Sequence, residues 1–154
     1  MKELVIYTDG GCSGNPGPGG WAYAAIIDGS QEVVTGAGHA GHTTNNKMEL
    51  TAVIEALTYA VSLNDRKGVT VQIHTDSQYV KNGITSWIYG WIKNGWRTSA
   101  KQPVKNKELW ITLKQVSDTL TVTWYWVKGH SGVALNELCD SLVKDQTEIA
   151  RKQL

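Results

Sequence analysis

The sequence is short of cysteine and of long apolar runs, and each shortage excludes a class of protein. Its 154 residues include only two cysteines, Cys12 and Cys139. Two are too few for a disulfide framework, and neither has a partner at metal-ligand spacing. No apolar run approaches membrane-spanning length, and the first residues are too acidic for a signal peptide. We therefore expect a cytoplasmic protein with reduced thiols and no membrane association.

Net charge is also nearly absent. There are 15 Lys and Arg against 14 Asp and Glu, which gives a formal charge of +1 at pH 7. This balance does not by itself indicate nucleic-acid binding, so such a function must be argued from where the charges lie. The length suits one domain, residues 1–154, and we find no internal repeat, low-complexity tract or linker.

Hydrophobic periodicity predicts an α/β fold. Apolar and β-branched runs predict strands at 4–8, 21–27, 33–40, 69–75 and 120–127. Apolar spacings of three and four predict helices at 46–63, from 106, and from about 134 to the C terminus. A turn at 28–30 favours an antiparallel meander of the first three strands, and the later strand–helix alternation implies parallel pairing. The sheet should therefore be mixed and covered by helices.

A glycine-rich loop follows the first strand. Asp9 ends that strand, and residues 10–20 contain six glycines and two prolines. Such a loop allows a close approach of the backbone to a partner while the prolines keep it stiff, which suits a sugar–phosphate backbone. The alternative is a strand-ending aspartate beside an ordinary flexible turn.

Carboxylates are predicted to meet at one edge of the sheet. Asp9 and Asp76 each end a strand predicted to be parallel, and such strand ends are where α/β sheets bind ligands. Close carboxylates repel each other unless a cation lies between them, and clustered hard oxygen ligands suit Mg²⁺. Glu49 could join from the first turn of its helix. Because Asn46 and Glu49 have capping-box spacing, a structural role for Glu49 stays open.

Two further candidates lie near the C terminus. The last helix has its apolar residues at 135, 138, 139, 142 and 143, which leaves Asn136 and Glu137 beside the stripe and puts Asp140 at its edge. His130 stands between glycines just before that helix and is a candidate for proton transfer. We expect the remaining histidines to be structural; they are His39, His42 and His74.

A basic segment rich in tryptophan, residues 77–107, contains no acid, and we call it the basic handle. Its cations are Lys81, Lys93, Arg97, Lys101, Lys105 and Lys107, and its indoles are Trp87, Trp91 and Trp96. Cations bind phosphates and exposed indoles pack on sugars or bases, so the handle indicates nucleic-acid binding. The alternative is that the indoles pack a helix pair, and we expect both to be partly true.

Several motifs, in their order, resemble type 1 ribonuclease H of bacteria over residues 4 to about 145. They are TDG at 8–10, GNPGPGG at 14–20, TTNNKMEL at 43–50, TDSQYV at 75–80, Trp96, PVKN at 103–106, WVKGH at 126–130, and Asn136, Glu137 and Asp140. The resemblance implies a five-stranded mixed sheet flanked by helices, in a single catalytic domain spanning 1–154. It also implies an endonuclease that cuts the RNA strand of RNA–DNA hybrids with two Mg²⁺ ions, leaving 3′-hydroxyl and 5′-phosphate ends. We expect a monomer without an obligate protein partner, and Mn²⁺ as an alternative ion.

The resemblance also implies roles for individual residues. Asp9, Glu49, Asp76 and Asp140 match the metal-binding acids, and His130 matches a histidine of that family. Asn15, Asn45 and Gln78 match groups that touch the minor groove, where Glu49 also touches a 2′-hydroxyl. Thr44 and Lys47 match positions near a DNA-phosphate pocket, and Trp87 and Trp110 match indoles beside the DNA strand. Lys93, Trp96, Arg97 and Lys101 belong to the handle.

Departures from the family pattern weaken the handle. Ile92, Asn94 and Gln102 stand where Lys or Arg is common, so we expect looser substrate binding. Two other functions fit part of this pattern. A catalytically silent hybrid-binding module would need the handle but not the acids, and an integrase-like or transposase-like nuclease would share the fold and metal chemistry, normally within a longer chain.

Overall fold

Five strands and five helices make up the part of the chain that the computed structural model describes, residues 2–27, 30–63, 69–128 and 134–153. The strands are β1 (Lys2–Cys12), β2 (Gly17–Ile27), β3 (Val33–Thr43), β4 (Val69–Thr75) and β5 (Thr121–Trp126). The helices are α1 (Asn45–Ser62), α2 (Gln78–Asn82), α3 (Ile88–Lys93), α4 (Lys107–Asp118) and α5 (Ala134–Lys152). A π-helical turn, Gly83–Trp87, joins α2 to α3. None of the described helices is both long and apolar enough to cross a membrane.

The strands form one mixed sheet in the order β3-β2-β1-β4-β5. β1 pairs antiparallel with β2, and β2 with β3, whereas β4 pairs parallel with both β1 and β5. This confirms the predicted fold class, including the meander. Of its predicted turn, residues 28 and 29 lie outside the described part of the chain, and the Ser30 N–H donates to the Ile27 carbonyl at 2.9 Å.

The core lies on both faces of the sheet. α1 packs on one face, where Leu4 and Ile6 of β1 and Ile73 of β4 are buried against Leu50 and Leu57. α5 packs on the other face of β1 and β2, and there Cys139 and Val143 are buried against Ala22 and Ala24. β1 and β2 are therefore covered on both sides, whereas the second face of β4 carries the half-buried polar residues Thr70, Gln72 and His74.

Two local predictions need correction. Much of the glycine-rich loop is strand, because Gly10, Gly11 and Cys12 continue the pairing of β1 with Trp21, Gly20 and Gly19 of β2. In α5, Asn136 is buried rather than beside the apolar stripe, while Leu135, Leu138 and Leu142 are only partly buried. The sheet's twist and the angle of the helix decide these details, and periodicity does not encode them.

Candidate active site

Three carboxylates meet at the carboxyl ends of the two central parallel strands. Asp9 lies near the end of β1 and Asp76 follows β4. Glu49 lies in α1 just after its first turn, rather than within that turn as predicted. Each offers an oxygen atom, and these atoms all lie within 4.8 Å of one another. The predicted convergence of these three residues is therefore present in the structure.

Glu49 reaches this group because β1 and α1 touch through their backbones at Gly10. A Cβ atom at position 10 would lie no more than 2.6 Å from three backbone atoms of Met48 and Glu49, so any larger residue would push the helix away. The N-cap of α1 is Thr44, whose Oγ1 accepts from the Lys47 N–H at 3.2 Å. Asn46 lies inside the helix, so the capping-box alternative for Glu49 is wrong.

Burial and mutual repulsion make this group electrostatically costly to charge. Asp9 is 7% exposed and Glu49 is 8% exposed. Burial, followed by the charge of Asp76, raises the pKa of Asp9 from 3.8 to about 7, although the Gly10 N–H donates to Asp9 Oδ1 at 2.9 Å. Burial, and then the charges of Asp76 and Asp9, raise the pKa of Glu49 well above 4.5.

The donor set fits a divalent cation. Glu49 Oε2 is buried and accepts no hydrogen bond from the described residues. An orphaned carboxylate oxygen beside two other carboxylates would gain a partner from a cation at their centre. All the donors are hard oxygens, which suit Mg²⁺ or Mn²⁺ better than metals that prefer nitrogen or sulfur.

Asp140 lies beside this group rather than within it. It is partly buried in the second turn of α5, and its charge also contributes to the raised pKa of Asp9. Its Oδ2 accepts from Lys144 Nζ at 3.0 Å. The predicted peripheral position of Asp140 agrees with this geometry. The predicted His130 lies in 129–133, outside the described residues.

Hydrogen bonds join Asn15 and Asn45 where the end of β1 meets the start of α1. Asn15 Oδ1 accepts from the Asn45 N–H at 3.0 Å, and Asn45 Oδ1 accepts from the Cys12 N–H at 2.9 Å. The Cys12 thiol lies 3.5 Å from Asn15 Oδ1 and 3.4 Å from Asn45 Oδ1. Both oxygens are therefore used internally, whereas no hydrogen bond among the described residues uses either Nδ2 amide. These amides are donors that a ligand could engage.

The basic handle consists of α2, the π-helical turn and α3, followed by the loop that leads to α4. The N-cap of α2 is Ser77, whose Oγ accepts from the Val80 N–H at 3.1 Å, and the exposed Gln78 follows it. Trp87 is 44% exposed and Trp96 is partly buried. The side chains of Lys93, Arg97 and Lys101 are exposed. The handle thus combines surface cations with one prominent exposed indole.

The prediction that Trp110 lies beside a DNA strand requires correction. Trp110 is 0% exposed, and its Nε1 donates to the Tyr79 hydroxyl at 3.0 Å. Its ring centroid lies 5.3 Å from that of Trp91, and a Cβ on Gly83 would clash with its ring. Trp110, which lies outside the handle, is therefore a packing residue of the core. Its place between Leu109 and Leu113 in an apolar helix stripe was the signal for burial.

A polar cleft lies between the starts of α1 and α4. It has a volume of about 500 Å³, and Lys47, Asn106 and Lys107 are among the residues that line it. Thr44, the N-cap of α1, lies one turn before Lys47. Thr44 and Lys47 were predicted as site residues from the sequence. Asn106, which adopts a left-handed conformation with φ of 59° at the start of α4, was not.

Comparison with known proteins identifies relatives of the whole chain. Residues 1–148 match the RNase H family model. The chain is 52% identical to ribonuclease H of Treponema denticola over 150 residues, 91% of this chain and 94% of the relative. It is 51% identical to ribonuclease H of Bradyrhizobium diazoefficiens, with 99% of this chain and 97% of the relative covered.

Solved structures share the fold. LC9-RNase H1, described as a type 1 RNase H with the type 2 active-site motif, superposes with a TM-score of 0.83 at 30% identity, covering 97% of this chain and 74% of that one. LC11-RNase H1, solved in complex with an RNA/DNA hybrid, superposes with a TM-score of 0.75 at 23% identity, covering 96% and 98%. At that identity the second match supports the fold alone. The family model and the relatives at about 50% identity agree, and the chain belongs to the ribonuclease H family of nuclease hydrolases.

Proposed function

We propose that this protein hydrolyses the RNA strand of RNA–DNA hybrids, with two Mg²⁺ ions as cofactors. The observation that carries the proposal is the group of Asp9, Glu49 and Asp76, whose ligand oxygens lie within 4.8 Å of one another in a chain of the ribonuclease H family. A silent hybrid-binding module would gain nothing from three clustered carboxylates, two of them buried, that repel each other.

Asp9, Glu49 and Asp76 would hold the metal, and Asp140 would complete the set from its edge. When bound, the ions supply Lewis-acid stabilisation of the charge that develops on the phosphodiester. The carboxylates contribute by fixing the metal centre, and the orphaned Glu49 oxygen supports this role. Mn²⁺ offers the same preference for oxygen ligands and is an alternative ion.

The asparagine pair would recognise the RNA strand. The Nδ2 amides of Asn15 and Asn45 can donate to 2′-hydroxyls or to base edges in the minor groove, and Gln78 is exposed at the start of α2. Because both Oδ1 atoms already accept internal hydrogen bonds, the amides are pre-oriented. Only RNA has 2′-hydroxyls, so these contacts would distinguish the strand that is cut.

The opposite strand would lie on the handle and the polar cleft. Lys93, Arg97 and Lys101 would contact DNA phosphates, Trp87 and Trp96 would pack on sugars, and Thr44 and Lys47 would bind a phosphate at the cleft. A complementary pair of strand-specific surfaces explains why a hybrid, rather than either pure duplex, would be the substrate.

The products would carry 3′-hydroxyl and 5′-phosphate ends. Water attacks phosphorus, the P–O3′ bond breaks, and a proton reaches the departing 3′ oxygen. His130 is our candidate to assist this proton transfer or product departure, on the strength of its sequence position between glycines. We further propose that the protein acts as a monomer in the cytoplasm without an obligate partner.

A substrate panel tests the proposal. End-labelled RNA–DNA hybrid, double-stranded RNA and double-stranded DNA are incubated separately with Mg²⁺ or with EDTA, and the product ends are identified. We expect cleavage of the hybrid RNA alone, dependent on Mg²⁺, with 5′-phosphate ends. Binding of the hybrid without cleavage would favour the silent module, and cleavage of DNA would favour an integrase-like or transposase-like nuclease.

A further inference from the structure

Trp126, the last residue of the edge strand β5, hydrogen-bonds to the backbone of a candidate metal ligand. Its indole Nε1 donates to the carbonyl oxygen of Asp76 at 3.2 Å, although the two residues are 50 positions apart in the chain. The side chain is 43% exposed, so burial of its ring does not explain its position. The hydrogen bond to Asp76 is a directional interaction that fixes this indole at the sheet edge.

Asp76 lies one residue beyond the end of the β ladder. The pairing of β1 with β4 ends at Thr8 and Thr75, and the Val127 N–H donates to the Thr75 carbonyl at 2.8 Å. On the other side of Asp76, the Ser77 N–H donates to Thr75 Oγ1 at 3.1 Å as the chain turns into α2. The peptide group that follows Asp76 is therefore held at both ends after the strand pairing has stopped, its N–H by Thr75 Oγ1 and its carbonyl by the indole of Trp126.

We propose that Trp126 is a positioning residue for the metal site, acting through the backbone of Asp76. Fixing that peptide group fixes the direction in which the Asp76 side chain leaves the backbone, and hence its distance from Asp9 and Glu49. Trp126 does not touch the reacting atoms in this account. The proposal rests on the proposed function only in that Asp76 holds the metal. Partners of ligands in metal sites commonly change metal affinity by about 10- to 100-fold when removed.

The direct test is Trp126→Phe, which keeps an aromatic ring on β5 but removes the N–H donor. Mg²⁺ binding to the free protein is measured by titration calorimetry without substrate. We expect roughly tenfold weaker binding. In cleavage assays the Mg²⁺ concentration for half-maximal kcat should rise by a similar factor, with the KM for hybrid unchanged. Replacing Trp126 alone by benzothienylalanine, which keeps the bicyclic shape without an N–H, should reproduce the loss.

Trp21→Phe is the matched control. Trp21 lies on β2, stacks on Tyr23 with ring centroids 6.4 Å apart, and makes no indole hydrogen bond within the described residues. This variant should keep the parental Mg²⁺ affinity, and thermal unfolding of all variants separates stability from metal binding. Unchanged Mg²⁺ affinity in both Trp126 variants, even with lower stability, would overturn the proposal and leave Trp126 a purely structural residue.

The two proposals fail differently. If the parental protein neither binds Mg²⁺ nor cleaves hybrid, the proposed function is wrong and the role of Trp126 falls with it. If the parental protein does both and the Trp126 variants match it, only the positioning role is overturned.

Discussion

Asp9 shows how burial at a single residue becomes a property of the whole site. Its carboxyl group is almost enclosed, faces Glu49 and Asp76, and receives one backbone hydrogen bond, from Gly10. The result is a pKa near 7 instead of 3.8. A group of this kind destabilises the metal-free fold when charged, and a bound cation would remove most of that cost because it replaces repulsion by attraction.

The raised pKa of Asp9 predicts a pH-dependent stability. The folded metal-free protein holds a proton on Asp9 between pH 3.8 and about 7, where the unfolded chain has lost it. The stability linked to this proton is fully present below pH 3.8 and is lost as pH rises through about 7. The Asp9→Asn variant has no carboxyl group there and does not lose this stability as pH rises. The unfolding free energy of the variant minus that of the parent should therefore increase by roughly 2–4 kcal/mol from pH 4 to pH 8.

Urea unfolding in EDTA across that pH range measures the difference. Asp145→Asn, at an exposed position of α5, is the control and should track the parent at every pH. Parallel curves for Asp9→Asn and the parent would contradict the burial argument.

At the same scale, His130→Ala and Asp140→Asn should each reduce turnover without abolishing it. General acid–base assistance is typically worth about 10² to 10⁴ in rate, and Asp140 lies beside the three-carboxylate group rather than within it. We expect kcat of both variants to stay measurable on one hybrid at saturating Mg²⁺, where Asp9→Asn has none. A His130→Ala variant as inactive as Asp9→Asn would require a direct role for the histidine at the metal site, and a fully active one would remove it from the reaction.

At the scale of elements, the basic handle should contribute binding rather than chemistry. Replacing Lys93, Arg97 and Lys101 together by Ala should raise KM roughly tenfold or more with little change in kcat, because these exposed cations would contact ground and transition states alike. The dependence of log KM on log salt should flatten by about 2–3, one unit for each lost phosphate contact. The double variant Arg151→Ala/Lys152→Ala, at the far end of α5, removes two positive charges outside the handle and so controls for most of the change in net charge. An unchanged KM and salt slope would make the handle structural only.

The two tryptophans that the family resemblance placed beside the DNA strand should separate into binding and packing. Trp87 is 44% exposed and Trp110 is 0% exposed. Trp87→Phe should raise KM and leave the free energy of unfolding nearly unchanged, whereas Trp110→Phe should lower that free energy by about 0.5–3 kcal/mol at an unchanged KM. Chemical denaturation and hybrid cleavage kinetics on both variants test this contrast. An altered KM for a fully folded Trp110→Phe would restore its original assignment to the substrate surface.

At the scale of the whole molecule, the sequence predicted what local patterns control. β4 was predicted at its observed bounds because β-branched residues alternate there without interruption, and parallel strand ends implied that Asp9 and Asp76 would meet. The burial of Asn136 was not predicted, because it depends on how α5 crosses the sheet. Trp110 was assigned to the substrate surface by the family resemblance, although its place in an apolar helix stripe indicated burial. The bond from Trp126 to Asp76 was also missed, since it joins residues whose proximity only the finished sheet creates.

If Asp9 and Asp76 hold the metal on which cleavage depends, the rate of hybrid cleavage by Asp9→Asn and Asp76→Asn at saturating Mg²⁺ should reveal it. Circular dichroism and thermal unfolding confirm that each variant is folded. An amide keeps the shape of the side chain, removes a charged ligand and relieves carboxylate repulsion, so stability should hold or rise in the metal-free protein. We expect both variants to be folded and to show no detectable cleavage. Cleavage near the parental rate by either variant would contradict it.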